Sequence, residues 1–233
     1  MPFNTIISAE DLRERLGDPE LVIFDCRHSL ASFSLGRQLY DESHVPGAFF
    51  AAVEEDLAGT KTGKNGRHPM PEPDTFARFL GACGVNDATQ IVAYDAGADI
   101  FAPRLWFLSR WIGHDAVAIL DGGFTQWNAR EYPVTAAPAQ PVRDGTVTIR
   151  LRPELLVDAQ YVRAHLKAAE MQLLDARSKE RYTGETEPLD PVAGHIPGAR
   201  HRWFEENFGP DLRLKSGEEL RADFARAGLD PIR

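Results

Sequence analysis

Residues 89–97 read TQIVAYDAG, and the apolar run 91–94 within them decides the fold class. A short β-branched and aromatic run bounded by turn residues fits a strand buried on both faces of a parallel sheet. Asp95 then opens a loop, and helical periodicity resumes near Phe101. Strand ends and helix N-termini meet at such junctions, so α/β proteins place nucleophiles or anion sites there. Here the junction carries an aspartate. Two further runs, 21–25 (LVIFD) and 117–120 (VAIL), read as strands of the same kind. Helical periodicity appears at 9–16, 74–83, 101–112 and 157–169, with Asp74 as the expected N-cap of the second. The alternation predicts an α/β fold, a mainly parallel sheet flanked by helices.

The second half of the chain repeats the first. SAEDL (8–12) leads to VIFDCR (22–27), and 150 residues later DAQYV (158–162) leads to QLLDAR (172–177). SHVPGA (43–48) recurs as GHIPGA (194–199), and FLGACGVND (79–87) resembles FARAGLDP (224–231). Between the halves, residues 133–146 hold three prolines and no amphipathic period, and read as a linker. The expected organisation is therefore one α/β domain over 1–132, a linker over 133–146 and a second copy over 147–233. Asp95 lies eleven residues past Gly84; the equivalent point past Gly228 falls near position 239, beyond Arg233. The second copy is expected to stop before its own strand–loop–helix junction. Such a domain would expose apolar sheet and open edges, so either the sequence is a fragment or another segment completes the domain.

Composition narrows the function classes. A hydrophobic fraction of 43% supports a packed core. A net charge of −9 argues against duplex nucleic acid as a partner, while leaving room for a small anion in a locally positive pocket. Two cysteines in unlike contexts make neither a disulfide framework nor a zinc site. The N-terminus lacks the basic flank and apolar run of a signal peptide, and no stretch approaches the roughly 20 apolar residues of a membrane span. The expectation is a cytoplasmic protein with no membrane partner; oligomeric state is not legible.

The aspartate–arginine strand ends (Asp25 with Arg27, Asp175 with Arg177), the H(V/I)PGA turns and LDGGFTQW (120–127) resemble the recurring motifs of the rhodanese family. More narrowly, the chain resembles tandem-domain sulfurtransferases of the thiosulfate and 3-mercaptopyruvate type. That resemblance implies an inactive first domain and an active second one, whose loop cysteine carries a persulfide. It implies a small anionic sulfur donor, cyanide or a thiol as acceptor, and no metal or organic cofactor. A ring of loop amides at a helix N-terminus suits this chemistry, because it stabilises a thiolate. The alternative is a non-catalytic binding or scaffold protein, which would follow if Arg233 were the terminus.

The resemblance assigns expectations to particular residues. Asp95 occupies the cysteine position of the first copy, either as the anion of the cradle or as a turn and capping residue; neither can carry sulfane sulfur. Arg181 matches the arginine that clamps the donor, a task suited to a planar fork. Relatives that use mercaptopyruvate resemble one another in a second arginine before the GHIPG turn. This chain has Leu189, Asp190 and Pro191 there, which favours thiosulfate. His68, and more loosely Asp56, match a first-domain stretch that faces the site and could orient a donor or move a proton. The Asp–Arg pairs, His44 and His195 are expected to be structural. Cys26 and Cys83 read as small buried groups and Trp106, Trp111 and Trp127 as core.

Overall fold

The computed structural model describes residues 2–168 and 171–229. The chain divides into two compact units, Met1–Leu155 and Leu156–Arg233. The last position of the helical period expected over 157–169, and residues 230 and 231 of the fourth repeat match, lie outside the described residues.

The first unit runs β1 (Ile6–Ile7), α1 (Ala9–Glu14), β2 (Leu21–Asp25), α2 (Phe33–Glu42), β3 (Ala48–Phe50), α3 (Pro73–Ala82), β4 (Gln90–Tyr94), α4 (Phe101–Trp111), β5 (Val117–Leu120) and α5 (Gly123–Ala129). The strands form one sheet in the order β1-β5-β4-β2-β3, every pairing parallel. The expected strands at 21–25 and 117–120 are present with those bounds, and the run 91–94 is a strand that Gln90 extends by one residue. Alternation along them builds two cores. Val22, Phe24, Ile91, Ala93 and Val117 pack on one face with Phe76 and Leu80 of α3 and Leu105 and Leu108 of α4. Ile23, Val92, Tyr94, Ala118 and Leu120 pack on the other with Leu12 of α1 and Trp127 of α5. Burying each large apolar side chain in this way contributes about 2 kcal/mol.

Helix α3 begins earlier than expected. Pro73 takes its first turn, with Glu72 rather than Asp74 at the N-cap. Proline's fixed φ and missing N–H suit the first helical position, and this moves the start upstream. Of the three tryptophans expected in the core, Trp111 and Trp127 are buried. Trp106 is half-buried, its indole N–H donating to Asn4 O at 3.0 Å. Residues 133–155, which include the stretch expected to be a linker, run along the first unit. Thr135 bridges His44, Gly145 N donates to Gly81 O at 3.0 Å, and Arg152 forms a fork with Asp115 at 2.7 and 2.6 Å.

The second unit holds α6 (Ala159–His165), β6 (Leu174–Asp175), α7 (Lys179–Thr183), β7 (Arg200–His201) and α8 (Gly217–Arg226), with β6 and β7 paired in parallel. A capping box of Ser216 and Glu219 starts α8. Its core is thin: among the described residues only Ala199, Arg202 and Leu229 are buried.

Candidate functional site

In the first unit the chain leaves β2 towards β3 on one side and passes from β4 to β5 on the other. The order therefore reverses between β2 and β4, and ligand sites in such sheets lie at the carboxyl ends of the strands flanking that point. Three loops converge there: 25–28 after β2, 51–57 after β3 and 95–100 after β4.

Asp95 closes the third loop on itself. Its Oδ1 accepts from Gly97 N and its Oδ2 from Ala102 N, both at 3.0 Å. Ala102 lies in the first turn of α4, whose N-cap Ile100 has no side chain to offer. Asp95 thus supplies the missing cap, as its reading as a turn and capping residue expects. The loop needs unusual backbone, with φ at 118° for Gly97 and 54° for Ala98. Helix α5 pins it from behind, Phe124 N donating to Asp95 O at 2.9 Å and Thr125 N to Ala96 O at 3.1 Å. Gly123 makes that approach possible, since a Cβ there would sit 2.7 Å from Asp95 O and Gly97 N. Asp95 is buried, and burial outweighs the amides, pushing its carboxyl up to about 6.

Neither cysteine is poised as a nucleophile. Cys26 is fully buried, and burial followed by the charges of Asp25, Asp95 and Asp56 drives its thiol well above the ordinary range. Burial likewise pushes Cys83 up to about 12. A thiolate needs the opposite environment.

His68 meets a carboxylate, and it is Glu54: Nε2 lies 3.0 Å from Oε1. The same oxygen is 3.5 Å from Nε2 of His28, whose ring is buried and whose proton affinity is lowered first by that burial. Asp56 stays in its own turn. Its Oδ2 accepts from Ala52 N at 2.8 Å, and burial raises its carboxyl. Neither Glu54 nor His28 stands out in the sequence. The usable signal was position, each lying within four residues of a strand's carboxyl end. Arg104 of α4 fastens the histidine loop, donating to Leu57 O, His68 O and Pro69 O at 2.7, 3.0 and 2.9 Å.

In the second unit Arg181 is held by acids. It forks onto Glu187 at 2.9–3.2 Å and reaches Asp190 Oδ2 at 2.7 Å. These contacts hold the Glu187 carboxyl below its usual range, Arg181 first among the causes. Arg177 pairs with Asp175 at 2.6 Å and also reaches Glu187 at 3.2 Å. An open recess of about 490 Å³ adjoins them, lined by Asp175, Arg177, Asp190, Val192, Gly194 and His195. His44 and His195 are structural: Nδ1 of each lies against a backbone carbonyl, Tyr40 O at 2.7 Å and Tyr182 O at 2.8 Å.

A parallel α/β sheet with backbone amides gathered at the strand–helix junction after β4, and an Asp–Arg strand end that recurs in the second unit, define the class. The rhodanese-like domain profile matches residues 8–130 and 158–227, and the chain belongs to the rhodanese family of sulfurtransferases. It is 41% identical over 222 residues to a Pseudomonas aeruginosa protein named "Probable 3-mercaptopyruvate sulfurtransferase", covering 94% of this chain and 78% of that one. It is 34% identical over 230 residues to the thiosulfate sulfurtransferase of Bos taurus, covering 95% and 75%. The crystal structure of SseA from Escherichia coli, described among 3-mercaptopyruvate sulfotransferases, superposes with a TM-score of 0.82 at 30% identity, covering 98% of this chain and 85% of that one. Among the described residues no helix is long and apolar enough to cross a membrane.

Proposed function

We propose that the protein moves a sulfane sulfur from thiosulfate, or from 3-mercaptopyruvate, to cyanide or a thiol through a cysteine persulfide. The cysteine belongs to the second of two rhodanese-like domains and follows residue 233, near position 239 in the register of the repeat. The first domain, 1–132, is the inactive copy, 133–146 joins it to the second, and the setting is cytoplasmic. In the first step the thiolate attacks the outer sulfur of thiosulfate, forming the persulfide and releasing sulfite. In the second, cyanide takes that sulfur and leaves as thiocyanate, and the thiolate is restored.

The observation that carries this reading is the cradle around Asp95. This domain type folds an anion-holding loop at the junction after β4, and the first copy fills it with a carboxylate that cannot accept sulfur. Arg181 supplies the donor clamp: to bind an oxyanion it exchanges Asp190, the more exposed of its two carboxylates, for the ligand. Leu189, Asp190 and Pro191 bring no second arginine there, which supports thiosulfate as donor. The 41% identity to a relative named for 3-mercaptopyruvate supports the second donor.

The test is thiosulfate:cyanide and mercaptopyruvate turnover by the natural gene product. A full-length protein inert towards both donors would sink the reading. In an active protein Arg181→Ala raises KM for the anionic donor, and an unchanged kcat/KM contradicts the clamp.

A further inference from the structure

Two imidazoles share one carboxylate oxygen in the first unit. Glu54 Oε1 lies 3.0 Å from His68 Nε2 and 3.5 Å from His28 Nε2. The His28 ring is 3% exposed. It is stacked on Phe33 at 5.9 Å and set edge-on to Phe101 of α4 at 4.8 Å. Its Nε2 is buried and has no hydrogen-bond partner. Leaving such a nitrogen without a partner costs free energy, and the carboxylate facing it is the one that His68 uses. The aromatic walls fix where the ring lies, and packing leaves Nε2 3.5 Å from Glu54 Oε1.

We propose that His28 is a positioning residue for the Glu54–His68 pair. Its Nε2–H and that of His68 converge on Glu54 Oε1, so His28 fixes the carboxylate and, through it, the tautomer that leaves His68 Nδ1 as the accepting nitrogen. Were the His28 proton on Nδ1, its Nε2 lone pair would face the carboxylate, which disfavours that tautomer. The charged groups facing the two rings are Glu54 between them and Asp99, ahead of α4, beside His28. Asp56 and Asp95 are bound to their own loop amides, and Arg104 binds the His68 carbonyl. A proton-handling role for His68 rests on the sulfur-transfer reading; the shared oxygen does not.

Imidazole ¹H–¹⁵N spectra of the full-length protein, titrated between about pH 5 and 9, decide it. In the wild type, neutral His68 carries its proton on Nε2. In His28→Phe the aromatic packing is kept and the donor removed. Glu54 is then left to His68 alone, and the His68 midpoint rises. His28→Gln restores a donor and brings the midpoint back. A His68 midpoint that stays put or falls in His28→Phe overturns the proposal. Should that variant fail to fold, Glu54→Gln serves: the His28 midpoint must fall, and an unmoved His28 overturns it equally. In an active enzyme the acid limb of the kcat/KM profile follows the His68 midpoint. A wild type that transfers no sulfur defeats the proposed function while the spectra still decide the pairing. An active wild type with an indifferent His68 defeats the positioning role alone.

Discussion

Asp95→Asn isolates the contest between burial and hydrogen bonding at the cradle. The carboxyl titrates from an ordinary 3.8 up to about 6 in the fold, with burial the largest cause and the amides of Ala102, Gly97 and Phe101 opposing it. A difference of about two pH units corresponds to about 3 kcal/mol. The sign follows from proton counts. Between about pH 4 and 6 the folded protein binds more proton than the unfolded chain, so stability falls as pH rises through that window and levels off above it. Asparagine does not titrate. It loses one acceptor towards a backbone N–H, at a pH-independent cost of roughly 1–3 kcal/mol. The diagnostic quantity is therefore the change in the wild-type-minus-variant difference, which removes that offset.

From pH 4 to pH 7 this difference should shift by about 2–3 kcal/mol in favour of the variant. Urea unfolding at a series of pH values measures it, followed by tryptophan fluorescence; Trp106, Trp111 and Trp127 all report on the first unit. A flat difference would mean that Asp95 is as well solvated in the fold as out of it. A difference that grew in favour of the wild type would mean that the amides outweigh burial. Either result refutes the account of the cradle given above.

Other expectations follow from named contacts. Gly123→Ala places a Cβ 2.7 Å from Asp95 O at a φ of +57°, so it should cost roughly 2 kcal/mol or more and lower Tm in calorimetry. Arg27→Met leaves Asp25, fully buried, without its guanidinium at 2.6 Å; a loss of about 3–5 kcal/mol in urea unfolding is expected, and a change under 1 kcal/mol would contradict a buried pair. Iodoacetamide at neutral pH should leave Cys26 and Cys83 unlabelled in the folded protein and label both in urea, as read by peptide mass; rapid native labelling of Cys26 would contradict its burial.

The parallel sheet was legible because its strands are buried on both faces and so read as continuous apolar runs. Helix α2 was not. Its residues Phe33–Glu42 bury only Gly36 and Tyr40, too few for an apolar stripe, and Gly36 is there because a Cβ would meet Arg27 O at 2.1 Å. Asp95 could be placed from sequence since a strand, a loop and a helix follow one another along the chain. The Glu54 cluster could not, because it depends on which strands are neighbours. The register that sets Asp25 beside Phe50 on one side and Tyr94 on the other brings the three loops together, and nothing local encodes it. In the same way Arg181 was legible as a cation, whereas the two carboxylates that occupy it were not.

The two units keep the same frame and differ in what it carries. Arg27 Nη2 reaches Asp25 Oδ2 and Ser43 O, each at 2.6 Å; Arg177 Nη2 reaches Asp175 Oδ2 and Gly194 O at the same distances. A tyrosine stacks on the histidine of the following turn in both, Tyr40 on His44 at 3.9 Å and Tyr182 on His195 at 3.8 Å. These contacts tie a strand end to the next turn and so fix where the loops at the carboxyl edge begin. Divergence falls on the side chains the frame presents. In the first unit Arg27 is buried and spent on the frame, while the cradle is filled by Asp95. In the second, Arg177 is 28% exposed, lines the recess and shares Glu187 with Arg181. The shared frame thus carries a buried carboxylate held by loop amides in the first unit and an arginine pair held by carboxylates in the second.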